Sequence, residues 1–246
     1  LVHDCLVERR GFIESVDENI PTTNIVHYIP HHPVLKESST TPVRVVYDCS
    51  FKTSADKPSL NNCLVEVSPQ LNNLVDILVR FRRHKFAVTT DIEKAFLHIG
   101  LHEDDRDATR FLWLSDPSDP DSALLTYRFK SVLFGATSSP FILNATLLKH
   151  LQRHKSKLAE TMKRDLYVDN ILSSVMNNAG FNLRSWSSNS AAVRTEAHKQ
   201  NVLDTDTHTK VLGMRWNSYS DEILFPNRVI STRKSTTKRE ILKQSY

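Results

Sequence analysis

Phe86-Ala87-Val88-Thr89-Thr90-Asp91 is the stretch from which the fold is most readily read. Its aromatic and β-branched side chains predict a strand. The run ends on Asp91, where a carboxylate can stand in a cleft instead of the core. Further along, residues 163–172 read as apolar strand, acidic turn, apolar strand, with Tyr167-Val168-Asp169-Asn170 at the turn. If the two strands pair, Asp91 and Asp169 come together. Carboxylates from adjacent strands are what nucleotidyl transfer needs. Two divalent ions about 4 Å apart activate the attacking hydroxyl and neutralise the triphosphate. Mg²⁺ takes hard oxygen ligands and few protein groups. The plainer reading is that both are ordinary turn aspartates, which are common.

Working outward, residues 6–14 read as a short helix stopping at Gly11 and followed by a strand. Residues 25–29 are extended and closed by Pro30. Residues 31–35 and 42–48 predict two strands flanking the polar turn 36–41, and residues 50–62 are polar and irregular. Ser68-Pro69-Gln70 has the form of a helix start, with Leu71, Leu74, Val75 and Leu78 as one apolar stripe. A second hairpin is expected over residues 109–114 and 124–129, around the Ser/Asp/Pro-rich loop 115–122. Ser139-Pro140 opens a long helix. Short strands are read at 181–186 and 211–216, and the basic terminal segment could begin another helix. Strands and helices interleave without regular βαβ repetition, which makes the fold class α+β.

With 246 residues, 39% hydrophobic and 24% charged, the chain can bury a sizeable core and is not of disordered composition. Only 5 residues are glycine, and neither GxGxxG nor GxxxxGK[ST] occurs, so a Gly-rich phosphate loop is not expected. The net charge of +4 and a pI of about 8.9 suit a polyanionic partner without requiring one. Basic residues gather at Arg80, Arg82, Arg83 and Lys85, over 149–164, and over 228–243. Such runs suit a phosphate backbone, although ordinary solvated surface explains each one alone. Cys5, Cys49 and Cys63 lack metal-ligand spacing and read as free thiols. No apolar run approaches the roughly 18–20 residues needed to span a membrane, so no membrane partner is expected. Leu1-Val2-His3-Asp4 has neither an initiating methionine nor a signal pattern, and reads as the start of an excised piece or an incomplete frame.

Taken in order, the motifs resemble those of reverse transcriptases of long-terminal-repeat retrotransposons, most closely the BEL/Pao group. Pro42-Val43-Arg44-Val45-Val46-Tyr47-Asp48 looks like the first fingers motif and Pro58-Ser59-Leu60-Asn61 like the segment after it. Thr90-Asp91-Ile92-Glu93-Lys94-Ala95-Phe96 resembles the palm motif with the first metal-binding aspartate. Phe129 through Phe141, including Phe134-Gly135, resembles the loop and helix beneath template and incoming nucleotide. Tyr167-Val168-Asp169-Asn170 is similar to the Tyr-x-Asp-Asp hairpin, Ala179 through Trp186 to the next palm motif, and Leu212 through Trp216 to the primer-positioning segment.

The resemblance implies right-hand polymerase fingers and palm, with an antiparallel palm sheet, packed helices and a thumb absent or incomplete. Residues 1–85 would be fingers, 86–216 palm with a fingers insertion at about 100–130, and 217–246 the start of the connection toward the thumb. It implies an RNA-directed DNA polymerase acting on a primer, an RNA or DNA template and deoxynucleoside triphosphates. Two Mg²⁺, or Mn²⁺ in their place, would be held by Asp91, Asp169, Asn170 and the Ile92 carbonyl. Arg44, with Lys36 a weaker candidate, would contact the triphosphate, for which an arginine fork is well suited. Phe96 would be the steric gate against ribose, or simply core packing, and Phe134 would lie in the nucleotide site. Arg184 falls near a position tied to the leaving pyrophosphate, where it would act by electrostatic stabilisation.

Two departures stand out. Asn170 replaces the second aspartate, which lowers the charge available to a metal. Between Met176 and Ala179 only Asn177 and Asn178 stand where the family carries a palm helix, so one sheet face is expected to lie uncovered. The alternative is therefore a catalytically inactive remnant that keeps the fold and weak nucleic-acid binding. Protease, ribonuclease H and integrase regions would be partners in a polyprotein acting in a cytoplasmic particle.

Overall fold

In the computed structural model the described residues are 10–35, 43–173, 183–204, 206, 208–212 and 214–224. The elements follow in chain order as β1 (Ile13–Ser15), β2 (His31–Leu35), β3 (Val43–Tyr47), α1 (Leu60–Cys63), α2 (Leu74–Arg83) and β4 (Val88–Ile92). A 3-10 turn at Ala95–His98 leads to α3 (Glu103–Arg106), β5 (Arg110–Leu114), β6 (Leu124–Phe129), α4 (Ser139–Arg153) and α5 (Lys157–Asp165). The remainder is β7 (Leu166–Tyr167), β8 (Asn170–Ser173), β9 (Leu183–Ser188), α6 (Ala191–Lys199), β10 (His208–Val211), β11 (Met214–Asn217) and β12 (Glu222–Leu224). The fold is mixed α+β with antiparallel sheets. The chain divides into two units, Leu1–Gln70 with Lys94–His150 and Leu71–Glu93 with Leu151–Tyr246.

The first unit holds the sheet β1-β6-β5 and the hairpin β2-β3. Alternation along β5 and β6 points Phe111 and Phe129 inward, where they pack with Phe12, Ile29, Leu60 and Leu133. Tyr47 closes this core edge-on to Phe111 and Phe129, with ring centroids at 5.1 and 4.9 Å. A charged knot sits at the margin. Asp107, 1% exposed, meets Arg110 at 2.7 Å and Arg128 at 3.0 Å. Burial opposes the Asp107 charge, yet hydrogen bonds from Arg110, Asn24 and Arg128 outweigh it and hold its carboxyl down at about 2.

The second unit contains the sheet β7-β8-β4-β9 and the sheet β10-β11-β12. Helix α2 starts at Asn73, whose side chain accepts from the Val75 and Asp76 amides at 2.9 and 3.2 Å. Asp76 in its first turn and Arg80, Arg82 and Arg83 in its last complement the helix dipole. Its inward face buries Ile77 and Phe81 against Leu172, Val211 and Trp216. Phe81 and Trp216 meet edge-to-face at 4.9 Å. Polar ties bind α2 to α5. Arg80 Nε donates to buried Asp165 at 3.0 Å, and Asn72 Nδ2 donates to the Lys163 and Leu166 carbonyls at 2.9 Å each. Carbonyls at the end of α5 are thereby satisfied where β7 begins.

Several sequence expectations are corrected. Helix α2 begins at Leu74 rather than after Ser68, because Asn73 provides the cap, and its buried stripe runs through Ile77 and Phe81 while Val75 is exposed. Residues 163–165 close α5 instead of opening a strand, since Ala159, Met162 and Asp165 recur on its buried face. The stretch 50–62 contains the start of α1, nucleated by a Ser59–Asn62 capping box. Val211 and Met214–Trp216 belong to two antiparallel strands, β10 and β11, not to one. The join at 176–179 lies outside the described residues, as do residues 36–41 with Lys36 and the basic terminal segment. The uncovered sheet face does not occur in β4 and β8: Thr89 and Leu172 on one face, and Thr90 and Ile171 on the other, are each 3% exposed or less. Among the described residues no helix is long and apolar enough to cross a membrane.

Phe81→Ala is expected to cost about 3–5 kcal/mol. Val79→Ala on the exposed face of the same helix is expected to change stability by about 0.5 kcal/mol or less. Urea unfolding measures both, and equal losses would contradict the buried face assigned to α2.

Candidate functional site

The β4–β8 register makes Asp91 the direct partner of Asn170, with Thr89 opposite Leu172 on the same face. The site therefore continues the face on which Leu172 is buried in the apolar cluster. A two-residue turn, Val168-Asp169, joins β7 to β8, with Tyr167 and Asn170 paired across it. Val168 has φ +57°, an unusual conformation for a β-branched residue and of the kind primed hairpin turns require. The Ile92 amide donates to the Asp169 carbonyl at 2.9 Å, pinning the turn to the end of β4. Asp91, Asp169, Asn170 and Ile92 are thus brought together.

On the other side of β4, Asp91 is the partner of Arg184 in β9. The register shifts between Thr89 and Asp91, and Ser185 takes φ +51°, forming a bulge beside the carboxylate. Thr90 Oγ1 donates to the Arg184 carbonyl at 2.7 Å. The exposed Arg184 guanidinium pairs with Glu93 through Nε at 2.8 Å. Sequence reading passed over Glu93, Ser185 and Thr90. Only Glu93, two positions past Asp91, carried a signal that could have found it.

Burial pushes the Asp91 carboxyl above the usual range. A Ser185 hydrogen bond partly offsets this, while the charges of Asp204 and Glu93 add to it. Burial likewise raises Asp169, helped by the Asp91 charge and opposed by Asn170. Asn170 Nδ2 donates to Asp169 Oδ1 at 2.8 Å, so here it acts as a neutralising donor to its neighbour. Asp91 Oδ1 is buried without a hydrogen-bond partner, the one such side-chain atom among the described residues. A buried carboxylate oxygen without a donor is costly in the free protein and suited to a cation. The donors are hard oxygens and fit Mg²⁺ in kind. They are few, since among the described residues no three His, Cys, Asp or Glu side chains form a metal-holding group.

The remaining expected residues belong to the first unit. Arg44 is exposed on β3, opposite Val34. Phe96, read as a steric gate or as core packing, is 8% exposed, in keeping with packing. Phe134 packs edge-on against it at 4.6 Å and is itself 52% exposed, so the accessible ring is that of Phe134.

No protein-family model and no curated protein matches the sequence. Solved structures do match. The foamy viral protease-reverse transcriptase in complex with an RNA/DNA hybrid aligns with TM-score 0.51 and 15% identity, over 90% of this chain and 25% of that one. The foamy viral protease-reverse transcriptase dRH in complex with double-stranded DNA aligns with TM-score 0.50 and 16% identity, over 87% of this chain and 33% of that one. The chain thus spans a quarter to a third of those chains, and what it shares with them is a fold.

The raised carboxyls set a pH signature. A carboxyl whose pKa is higher folded than unfolded favours the folded state in acid, and that contribution is lost as pH rises through the folded value. Above that value each of the two charges opposes folding. Asp91→Asn is expected to raise the Tm of the metal-free protein at pH 7. The gain should fade as pH falls below the raised range. Melting curves across pH test this, and a loss of Tm at pH 7 would contradict it.

Proposed function

We propose that this chain is part of an RNA-directed DNA polymerase of a BEL/Pao-like retrotransposon, adding deoxynucleotides to a primer 3′-hydroxyl on an RNA or DNA template. One observation carries the reading: the β4–β8 register sets Asp91 opposite Asn170 and beside Asp169, with one Asp91 oxygen buried and unpartnered. The fold likeness to protease-reverse transcriptases supports it. On this reading the second unit corresponds to palm and the first largely to fingers.

Asp91 and Asp169, with the Asn170 side chain and the Ile92 carbonyl, would hold two Mg²⁺ or Mn²⁺. Bound there, the ions would lower the pKa of an attacking hydroxyl and neutralise charge on the triphosphate. The chain's own residues do the rest. Partial burial of Asp91 and Asp169 strengthens their field. Arg184, steadied by Glu93, offers a fixed positive charge next to the carboxylates for a leaving pyrophosphate. Arg44 and Lys36 would bind triphosphate oxygens, and Phe134, backed by Phe96, would meet the sugar or base. Partners would be the primer–template, deoxynucleoside triphosphates and the protease, ribonuclease H and integrase of a polyprotein, acting in a cytoplasmic particle.

A second reading, an inactive remnant with residual nucleic-acid affinity, is favoured by Asn170, which here donates to Asp169 in place of a third charge. Extension of a labelled DNA primer on an RNA template separates the two. The chain alone is expected to bind nucleic acid weakly, with strong salt dependence, and to give no measurable extension. Joined to a downstream thumb region it is expected to extend with Mg²⁺ or Mn²⁺, and Asp91→Asn or Asp169→Asn should lower the rate about a thousandfold, the loss of several kcal/mol of charge stabilisation. Absence of extension by the thumb-bearing protein with either ion would favour the remnant.

A further inference from the structure

Asn61 has no part in the site described above, yet its carboxamide spans a long gap in sequence. Its position is set by the capping box of Ser59 and Asn62 and by its own amide, which donates to the Cys49 carbonyl at 3.0 Å. From there Nδ2 donates to Ser50 Oγ at 2.8 Å and to the Gly135 carbonyl at 3.0 Å. Oδ1 accepts from the Thr137 amide at 2.9 Å. Both ends of the amide are used, and only Asn or Gln carries a donor and an acceptor in that fork.

The loop it grips has little other freedom. Gly135 adopts φ +97°, and a Cβ there would lie 3.1 Å from the Tyr47 carbonyl oxygen, so the loop is pressed against the end of β3. On the far side, Ser139 Oγ donates to the Leu133 carbonyl at 2.7 Å. Phe134 stands between these ties, half exposed and braced from below by buried Phe96. A flat aromatic surface on a cross-tied loop loses little freedom when a flat ligand settles on it. Nucleobases stack on such rings without regard to sequence.

We infer that Asn61 is a positioning residue that sets the Phe134 ring as the platform for an incoming nucleotide. This rests on the nucleotide-transfer reading above. Losing the fork frees the Gly135–Thr137 backbone, and the ring then samples orientations in which stacking is lost.

The test has two arms. In the first, Asn61→Ala is expected to speed hydrogen exchange at the Thr137 amide about tenfold or more while amides of α2 keep their protection, as for a local opening. Unchanged Thr137 exchange would overturn the clamp. In the second, Phe134→Trp in the thumb-bearing protein provides a fluorescent reporter, titrated with dGTP in Mg²⁺ and a primer–template presenting cytosine. Adding Asn61→Ala is expected to weaken dGTP about tenfold, the scale of a net hydrogen bond or two. Asn61→Asp, which keeps the acceptor for Thr137, should fall between and guards against simple unfolding. Equal dGTP affinity with Asn61 intact and with Asn61→Ala overturns the role of Asn61 and leaves the nucleotide reading standing. A reporter that does not respond even with Asn61 intact overturns the nucleotide reading, and the role with it.

Discussion

The pairing of β4 with β8 is the constraint on which the rest depends. A strand alternates its faces residue by residue, so a shift of one position would turn Asp91 away from Asn170 and bring Leu172 out of its cluster. The burial of Leu172 against Phe81 and Trp216 therefore does two things at once. It stabilises the second unit, and it fixes the register that brings Asp91 and Asp169 together. Asn72 and Arg80 extend that control to the turn by tying α2 to the end of α5, where β7 and its hairpin begin.

Electrostatics runs against this packing. Two half-buried carboxylates on one sheet edge repel, and partial burial raises both. The repulsion is relieved only in part, by Ser185 on Asp91 and by Asn170 on Asp169. Asp107 in the first unit shows the contrast. It too is buried, but arginines surround it and hold it low, and so it serves the fold. A carboxylate pair left under-compensated has the pattern of a site that gives up stability for function.

Much of this was legible in the sequence because the signals are local. The β-branched run before Asp91 and the polar turn at Asp169 identify strand and hairpin directly, and the Ser/Asp/Pro-rich loop 115–122 does the same for the β5–β6 hairpin. The bulge at Ser185 was not legible, because a serine at positive φ leaves no mark in composition; it is imposed by the β4–β9 pairing. The start of α2 was misplaced because Ser68-Pro69 and Asn73 are both competent caps and tertiary packing of Ile77 and Phe81 chooses between them. Between the two readings of Phe96 the sequence could not choose: its burial at 8% exposed, with Phe134 against it at 52%, is set by the packing of the loop that Asn61 holds.

Binding of Mn²⁺ to the metal-free chain, followed by the loss of the free-ion paramagnetic resonance signal, tests the central claim most directly. The account predicts binding that weakens about tenfold or more with either Asp91→Asn or Asp169→Asn, as expected when one of few charged ligands is lost. Asp105→Asn, on the exposed helix α3, should leave it unchanged. Equal affinity in all four proteins, or no binding by the unsubstituted chain, would contradict the assignment of Asp91 and Asp169 as a metal-holding pair.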